Sequence, residues 1–281
     1  MAGLDERSGE LRVADGLRLS YRSWPVPSPR SVLIISHGLG EHAGRYAPLA
    51  ADLGRRGVAV HALDHRGHGH SQGRRGFVRS FDEFVRDFEA FRARIAGETP
   101  AGVPTFLLGH SLGGLIAIRY LQAHPEAPLR GAILSAPLLG VAVRAPRWKT
   151  AMAGLLSRIA PWVPISNGID PAELSMAEGY AQAYRTDPLV HPVVTPRLYT
   201  EFLGAIEAAF RERDTVKLPM LVLSPTADRV VMPEAVARWA AEHPAAVQVR
   251  KYEGFRHESL NERDRHRAVA DVAEWMEAQA A

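Results

Sequence analysis

A serine, an aspartate and a histidine, Ser111, Asp228 and His257, are of the types that acyl transfer through an oxygen nucleophile requires. Ser111 is the centre of Gly109-His110-Ser111-Leu112-Gly113, the G-x-S-x-G pattern of a sharp turn between a strand and a helix. Such a turn strains the backbone at its apex and tolerates only small neighbours. It leaves the serine oxygen standing above the sheet at a helix N-terminus, where the dipole favours developing negative charge. The alternative is a glycine-rich turn whose serine only caps the helix. Context separates the two: an apolar run, Thr105–Leu108, precedes the pattern and a helical one, Leu112–Leu121, follows it.

A serine nucleophile needs a base and a group that orients it, and sheets carrying this turn supply them in the order serine, acid, histidine. Asp228 follows the apolar run Met220–Leu223 in SPTADRVVMP, and His257 follows Val247–Tyr252 in EGFRHES. Both therefore belong at the carboxyl edge of the same sheet as Ser111. His243, before Pro244 at a helix end, and His266, on the last helix, are expected to be solvated, while Asp170 and Asp187 fall outside the regular pattern. The loop His37-Gly38-Leu39-Gly40 follows another apolar run, Ser31–Ser36. The backbone N–H groups of Leu39 and Leu112 are the expected oxyanion donors.

The elements that must position these residues alternate along the chain. Leu11–Val13 and Leu17–Trp24 flank Asp15-Gly16 as a hairpin. Ser31–Ser36 and Val58–Leu63 read as strands buried on both faces. Helical spacing covers Tyr46–Leu53, and Ser80 with Glu83 reads as a capping box before Phe84, Phe88 and Phe91. After Gly131–Ser135 the rhythm breaks for about eighty residues and resumes near Leu218. This predicts one α/β domain with a mostly parallel sheet, formed by residues 1–137 and 214–281, carrying an inserted helical cap at 138–213.

Two competing motifs explain less. Gly38-x-Gly40-x-x-Ala43 with Asp64 satisfies a dinucleotide fingerprint by spacing, but the helical pattern starts too late for a pyrophosphate to meet its N-terminus. Asp64, His65, His68 and His70 invite a metal, yet their order matches no metallo-hydrolase layout. Polar groups tied to backbone in a glycine-rich loop account for them. No metal and no cofactor are expected.

Composition narrows the classes further. With 281 residues, 46% hydrophobic and 23% charged, the chain can bury a large core without metal or disulfide, and it has no cysteine. The net charge of +3 is spread over scattered arginines, with lysine only at Lys149, Lys217 and Lys251, so no nucleic-acid partner is expected. The opening MAGLDERSGELRV lacks the apolar core of a secretory signal, which leads to an expectation of cytoplasmic residence.

At these residues the chain resembles the α/β-hydrolase superfamily, and within it the monoacylglycerol lipase and lysophospholipase-like group. The stretches that carry the resemblance are HGLGEHAGRY (37–46), LDHRGHGHSQG (63–73), GHSLGG (109–114), YRTDPLV (184–190), TADRVVMP (226–233) and the segment around His257. The resemblance implies catalysis by Ser111, Asp228 and His257, and a polar pocket for glycerol at Glu41, Arg45 and Tyr184. It implies a serine ester hydrolase acting on single-chain lipid esters, above all monoacylglycerol. A lysophospholipase, a short-chain carboxylesterase, a peptidase or an acyltransferase would use the same triad, and an inactive hydrolase-fold binding module is the reading from another class. Leu112 stands where related proteins often have methionine, and Leu260 where mammalian members have a second histidine.

The cap carries its own signal. No acidic residue lies between Glu126 and Asp170, while Arg144, Arg147, Lys149 and Arg158 are basic. Met152, Leu155, Leu156, Ile159, Trp162 and Val163 recur near helical spacing. Such a helix suits peripheral contact with an anionic membrane, and equally a cap packed on the sheet domain.

Overall fold

The runs read as doubly buried strands form the middle of one sheet. The computed structural model describes residues 5–142, 147–243 and 246–280, with the side chains of 147–152 left aside. Strands β1 (Arg7–Arg12), β2 (Arg18–Trp24), β3 (Ser31–Ser36), β4 (Val58–Leu63), β5 (Thr105–His110), β6 (Gly131–Ser135), β9 (Met220–Pro225) and β10 (Val247–Tyr252) lie in the order β1-β2-β4-β3-β5-β6-β9-β10. The β1/β2 and β2/β4 pairs are antiparallel and the remainder parallel. A two-stranded ribbon, β7 (Ile165–Ser166) and β8 (Val193–Val194), stands apart.

Side chains alternate along each strand, so every central strand feeds two cores. Val32 and Ile34 of β3 point into one core with α2 (Asp82–Ala96), α3 (Leu112–Ala123) and α7 (Pro233–Ala241). Leu33 and Ile35 point into the other, with α1 (Ala47–Gly54) and α8 (Arg265–Ala280). Helices on both faces of a mostly parallel sheet are the α/β-hydrolase architecture expected above.

Between β6 and β9 the chain forms α4 (Arg147–Ile159), β7, α5 (Tyr180–Thr186), β8 and α6 (Pro196–Arg211). Helix α6 straddles the interruption, because Leu198, Phe202, Ala205 and Ala209 join the core shared with α3, while α4 packs on α6. On α4, Leu155 is 59% and Ile159 63% exposed, with Trp162 beyond it at 48%. Arg144 and the side chains of Arg147, Lys149 and Met152 lie outside the described residues.

Two local expectations are corrected. The Ser80–Glu83 pair is not a reciprocal box: Ser80 Oγ accepts from the N–H of Asp82, and Glu83 accepts from that of Arg79. The Glu83 carboxylate also meets the buried Arg66, which pulls it off the capping position. His243 is not solvated but buried, its ring centroid 4.7 Å from that of Trp239, four residues earlier on the same helical face. Burial lowers its pKa to about 4.

Candidate active site

Ser111 links β5 to α3 with φ 52° and ψ −120°, a conformation that a non-glycine residue keeps only where its surroundings enforce it. They do so through the backbone. The Ser111 N–H donates to the Ser135 carbonyl at 3.0 Å, and its carbonyl accepts from Gly114 and Leu138, each at 2.9 Å. Glycine is required next to it, since a Cβ at Gly113 would run into the carbonyl oxygens of Ser36 and His37. That contact brings the start of α3 onto the end of β3, so the Leu112 N–H and the loop carrying Leu39 share one corner of the sheet.

His257 and Asp228 are buried together. Nδ1 of His257 donates to Oδ2 of Asp228 at 2.8 Å, and Oδ1 accepts from the N–H groups of Val230 (2.8 Å) and Val231 (3.0 Å). Burial by itself would raise the Asp228 pKa, but His257 and the two amides outweigh it and hold the carboxyl below its usual range. For His257 burial opposes the charged form. The Asp228 carboxylate, with lesser help from Glu258 and Glu41, more than reverses this and raises the imidazole above its ordinary value. Among the described residues the Ser111 hydroxyl has no hydrogen-bond partner. The nucleophile–base contact of such sites often tightens only with substrate bound.

The loop after β3 is held from several sides. Because His37 Nε2 accepts from the His65 N–H at 3.0 Å, its proton must sit on Nδ1, which donates to the Gly38 carbonyl at 2.8 Å. Gly38 N–H donates to Glu41 Oε1 at 2.6 Å, and Gly40, at φ +79°, accepts from the His191 N–H at 2.9 Å. The N–H groups of Leu39 and Leu112 take no protein acceptor among the described residues. That leaves both available to an oxyanion.

Glu41 and Arg45 are buried partners rather than free ends. Arg45 Nε donates to Glu41 Oε2 at 3.1 Å, and Nη2 donates to the Tyr180 hydroxyl at 2.6 Å and to Glu258 Oε2 at 2.8 Å. Its guanidinium carbon lies 4.7 Å from the Tyr184 ring centroid and 5.2 Å from that of Tyr180. Burial would raise the Glu41 pKa, yet His110, Arg45, His37 and the Gly38 N–H bring it down to about 2. Burial keeps His110 itself neutral, so Arg45 is the cation that counts near neutral pH.

An apolar cavity of about 220 Å³ is lined by Ser111, Leu39, Leu112, Leu138, Val194 and Phe202 among others. A second, of about 240 Å³, lies against Tyr184 and His191 and shares Asn167 and Ile169 with the first. Glu41 and Arg45 line neither. Sequence reasoning missed Glu258, Tyr180 and the cavity wall from α6. Only the apolar face of α6 was a visible signal.

Of the residues weighed as metal ligands, His65 bonds the Ser36 hydroxyl through Nε2 at 2.8 Å, and His68 donates from Nδ1 to the Arg66 carbonyl at 3.0 Å. His65 Nδ1 and His68 Nε2 are buried without a partner among the described residues, so the loop ties only part of the cluster to backbone. Asp64 accepts from the Ala43 N–H at 2.7 Å and the His70 N–H at 2.9 Å, and no group that could hold a metal occurs among the described residues. Asp187 bonds His42 at 2.9 Å, and Asp170 caps the turn Pro171–Glu173, so neither competes with Asp228.

Residues 27–264 match the family described as serine aminopeptidase, S33. The chain is 33% identical over 265 residues to a monoacylglycerol lipase from Mycolicibacterium smegmatis, covering 93% of each. It is 36% identical over 248 residues to a monoglyceride lipase from Rattus norvegicus, covering 87% of this chain and 81% of that one. The monoacylglycerol lipase structure from Paleococcus ferrophilus matches with a TM-score of 0.84 and 32% identity, over 93% of this chain and 99% of that one.

Proposed function

The chain is an ester hydrolase belonging to the monoacylglycerol lipase-like group of the α/β-hydrolases, and on that premise we propose that it cleaves monoacylglycerol through an acyl-enzyme on Ser111. The observation that carries the reading is the buried His257–Asp228 pair, at 2.8 Å, in a site whose strained serine lines an apolar cavity.

In this reading Ser111 Oγ attacks the ester carbonyl carbon as its proton passes to Nε2 of His257. The oxyanion takes the N–H groups of Leu39 and Leu112. Asp228 holds Nδ1 and stabilises the imidazolium. Collapse breaks the ester C–O bond, and glycerol leaves with the proton from His257. A water then gives its proton to His257 and adds to the acyl carbon, which releases the fatty acid and returns the proton to Ser111. No cofactor takes part.

The acyl chain occupies the cavity at Ser111, where each buried methylene contributes at most about 0.8 kcal/mol. Tyr184, on the neighbouring cavity, receives the glycerol end. Glu41 and Arg45 serve that end by holding Tyr184 and Tyr180 in place. Residues 138–213 act as the cap, footed on the core through α6.

The test is product analysis over a panel of monoacylglycerols, lysophospholipids and triacylglycerols, with a peptide amide as control. Monoacylglycerol is expected to give glycerol and fatty acid fastest. A faster lysophospholipid or amide would overturn the substrate assignment while keeping the triad.

No helix among the described residues is long and apolar enough to cross a membrane. We read the protein as cytoplasmic and peripheral, its cap meeting lipid through the exposed Leu155, Ile159 and Trp162. Leu155→Ser with Ile159→Ser should then cost less than about 1 kcal/mol in stability, since neither side chain is buried. The same variant should lower liposome binding and long-chain turnover severalfold. Large destabilisation with unchanged liposome partitioning of the folded fraction would contradict the contact.

A further inference from the structure

Glu258 follows His257 directly and is buried, yet the acyl-transfer steps above give it nothing to do. Its Oε2 accepts from Arg45 at 2.8 Å and from Asn261 Nδ2 at 2.7 Å, and its backbone N–H donates to the Leu174 carbonyl at 2.8 Å. Arg45 passes the connection to Glu41 at 3.1 Å, and Glu41 passes it to the Gly38 N–H at 2.6 Å. Three hydrogen bonds thus join the residue after the base to the residue before the oxyanion donor Leu39. They tie together loops that leave β10 and β3, strands on opposite sides of β5 in the sheet.

The charges do not cancel. Two buried carboxylates, Glu41 and Glu258, share one guanidinium, which leaves one negative charge in excess beside His257. The other partners of this cluster, Tyr46, Tyr180 and Tyr184, are kept protonated by burial and bring no cation. The groups facing His257 are Asp228 from the loop after β9, the neutral His110 with its ring centroid at 4.8 Å, Glu258 on its own loop, and Glu41 from the loop after β3.

We propose that Glu258 is a positioning residue for the reaction: through Arg45 and Glu41 it locks the oxyanion loop to the histidine loop, and its uncancelled charge favours the imidazolium formed at each proton transfer. This rests on His257 being the base. A bare structural staple would need only the hydrogen bonds, which a neutral amide could imitate. A charge device also sets where the acidic limb of the rate profile falls, because a carboxylate raises the pH at which the imidazole gives up its proton. Removing the charge therefore moves that limb toward acid.

The experiment follows kcat and KM for a soluble p-nitrophenyl ester against pH in the wild type, Glu258→Gln and Glu258→Asp. Glu258→Gln should move the acidic limb about half a pH unit toward acid. It should also lower plateau kcat about tenfold with little change in KM, because the imidazolium formed in the transition state loses a stabilising charge. Glu258→Asp, which keeps the charge on a shorter arm, should restore the limb while kcat stays reduced. An unmoved limb in Glu258→Gln, or a loss confined to KM, would overturn the proposal. If Glu258→Gln does not fold, Glu258→Asp decides: a wild-type limb with reduced kcat supports the role, and unreduced kcat refutes it. His257→Ala separates the two readings, since turnover surviving there would remove the assigned base and not merely its supporter.

Discussion

Replacing Ser111 by alanine is expected to lower kcat on monoacylglycerol by about 10⁶, because the members of a triad act as a unit and the acyl-enzyme cannot form without the oxygen. Stability should change little. The position is held at φ 52° by backbone hydrogen bonds to Ser135, Gly114 and Leu138 that alanine makes equally well. The left-handed strain is common to both residues, so it cancels in the comparison. Steady-state turnover together with thermal unfolding checks both halves. An alanine variant retaining about 1% of activity or more would remove Ser111 from the chemistry, since no bypass of a lost nucleophile is that efficient.

Asp228→Asn should cost about 10⁴ in kcat with the fold intact, for a reason that can be followed atom by atom. Oδ1 of Asp228 accepts from two backbone N–H groups, those of Val230 and Val231. An asparagine must offer its carbonyl oxygen there, because its NH₂ has only hydrogens to present to two donors. The NH₂ then faces His257 Nδ1, where the carboxylate stood at 2.8 Å. Nδ1 must become the acceptor, so the imidazole proton moves to Nε2 and the lone pair meant for Ser111 is lost. The imidazolium also loses the charge that raises its pKa, and residual activity should persist to lower pH than in the wild type. A rate profile with kcat within about tenfold of wild type would mean that Asp228 does not set the tautomer.

Much of this site was legible in the sequence, and the limits have physical causes. The turn around Ser111 announces itself because the G-x-S-x-G spacing is a short local pattern. A Cβ at Gly109 would collide with Gly113 and Ala117 a few residues on, although the collision that requires glycine at 113 is with Ser36 and His37 at the end of the distant β3. Asp228 and His257 could be placed at one edge of the sheet because each follows a run apolar enough to be a strand, and parallel strands end at one edge. The Glu258–Arg45 contact spans 213 positions and depends on how two loops turn toward each other, which periodicity does not encode. His243 shows the same limit, as a helix-end position reads as solvated until its neighbour Trp239 is seen to cover it. Amphipathic spacing at Leu155 and Ile159 identified an apolar face but not what lies over it, so two readings stayed open. Exposures of 59% and 63% leave that face bare of protein. The departure of the chain from the sheet between β6 and β9 was visible as a broken rhythm. The double duty of α6, shared between α4 and the core with α3, required the packing itself.

Joining the chemistry to one atom in the active wild-type protein is the most direct test of the account. The protein is inactivated in stages with a fluorophosphonate, and each sample is split between a monoacylglycerol hydrolysis assay and intact-mass and peptide mapping. Covalent attack by a single activated serine predicts one adduct per chain, carried on Ser111, with glycerol release falling in proportion to the labelled fraction. An adduct on another residue, or full labelling of Ser111 with glycerol release undiminished, would contradict it.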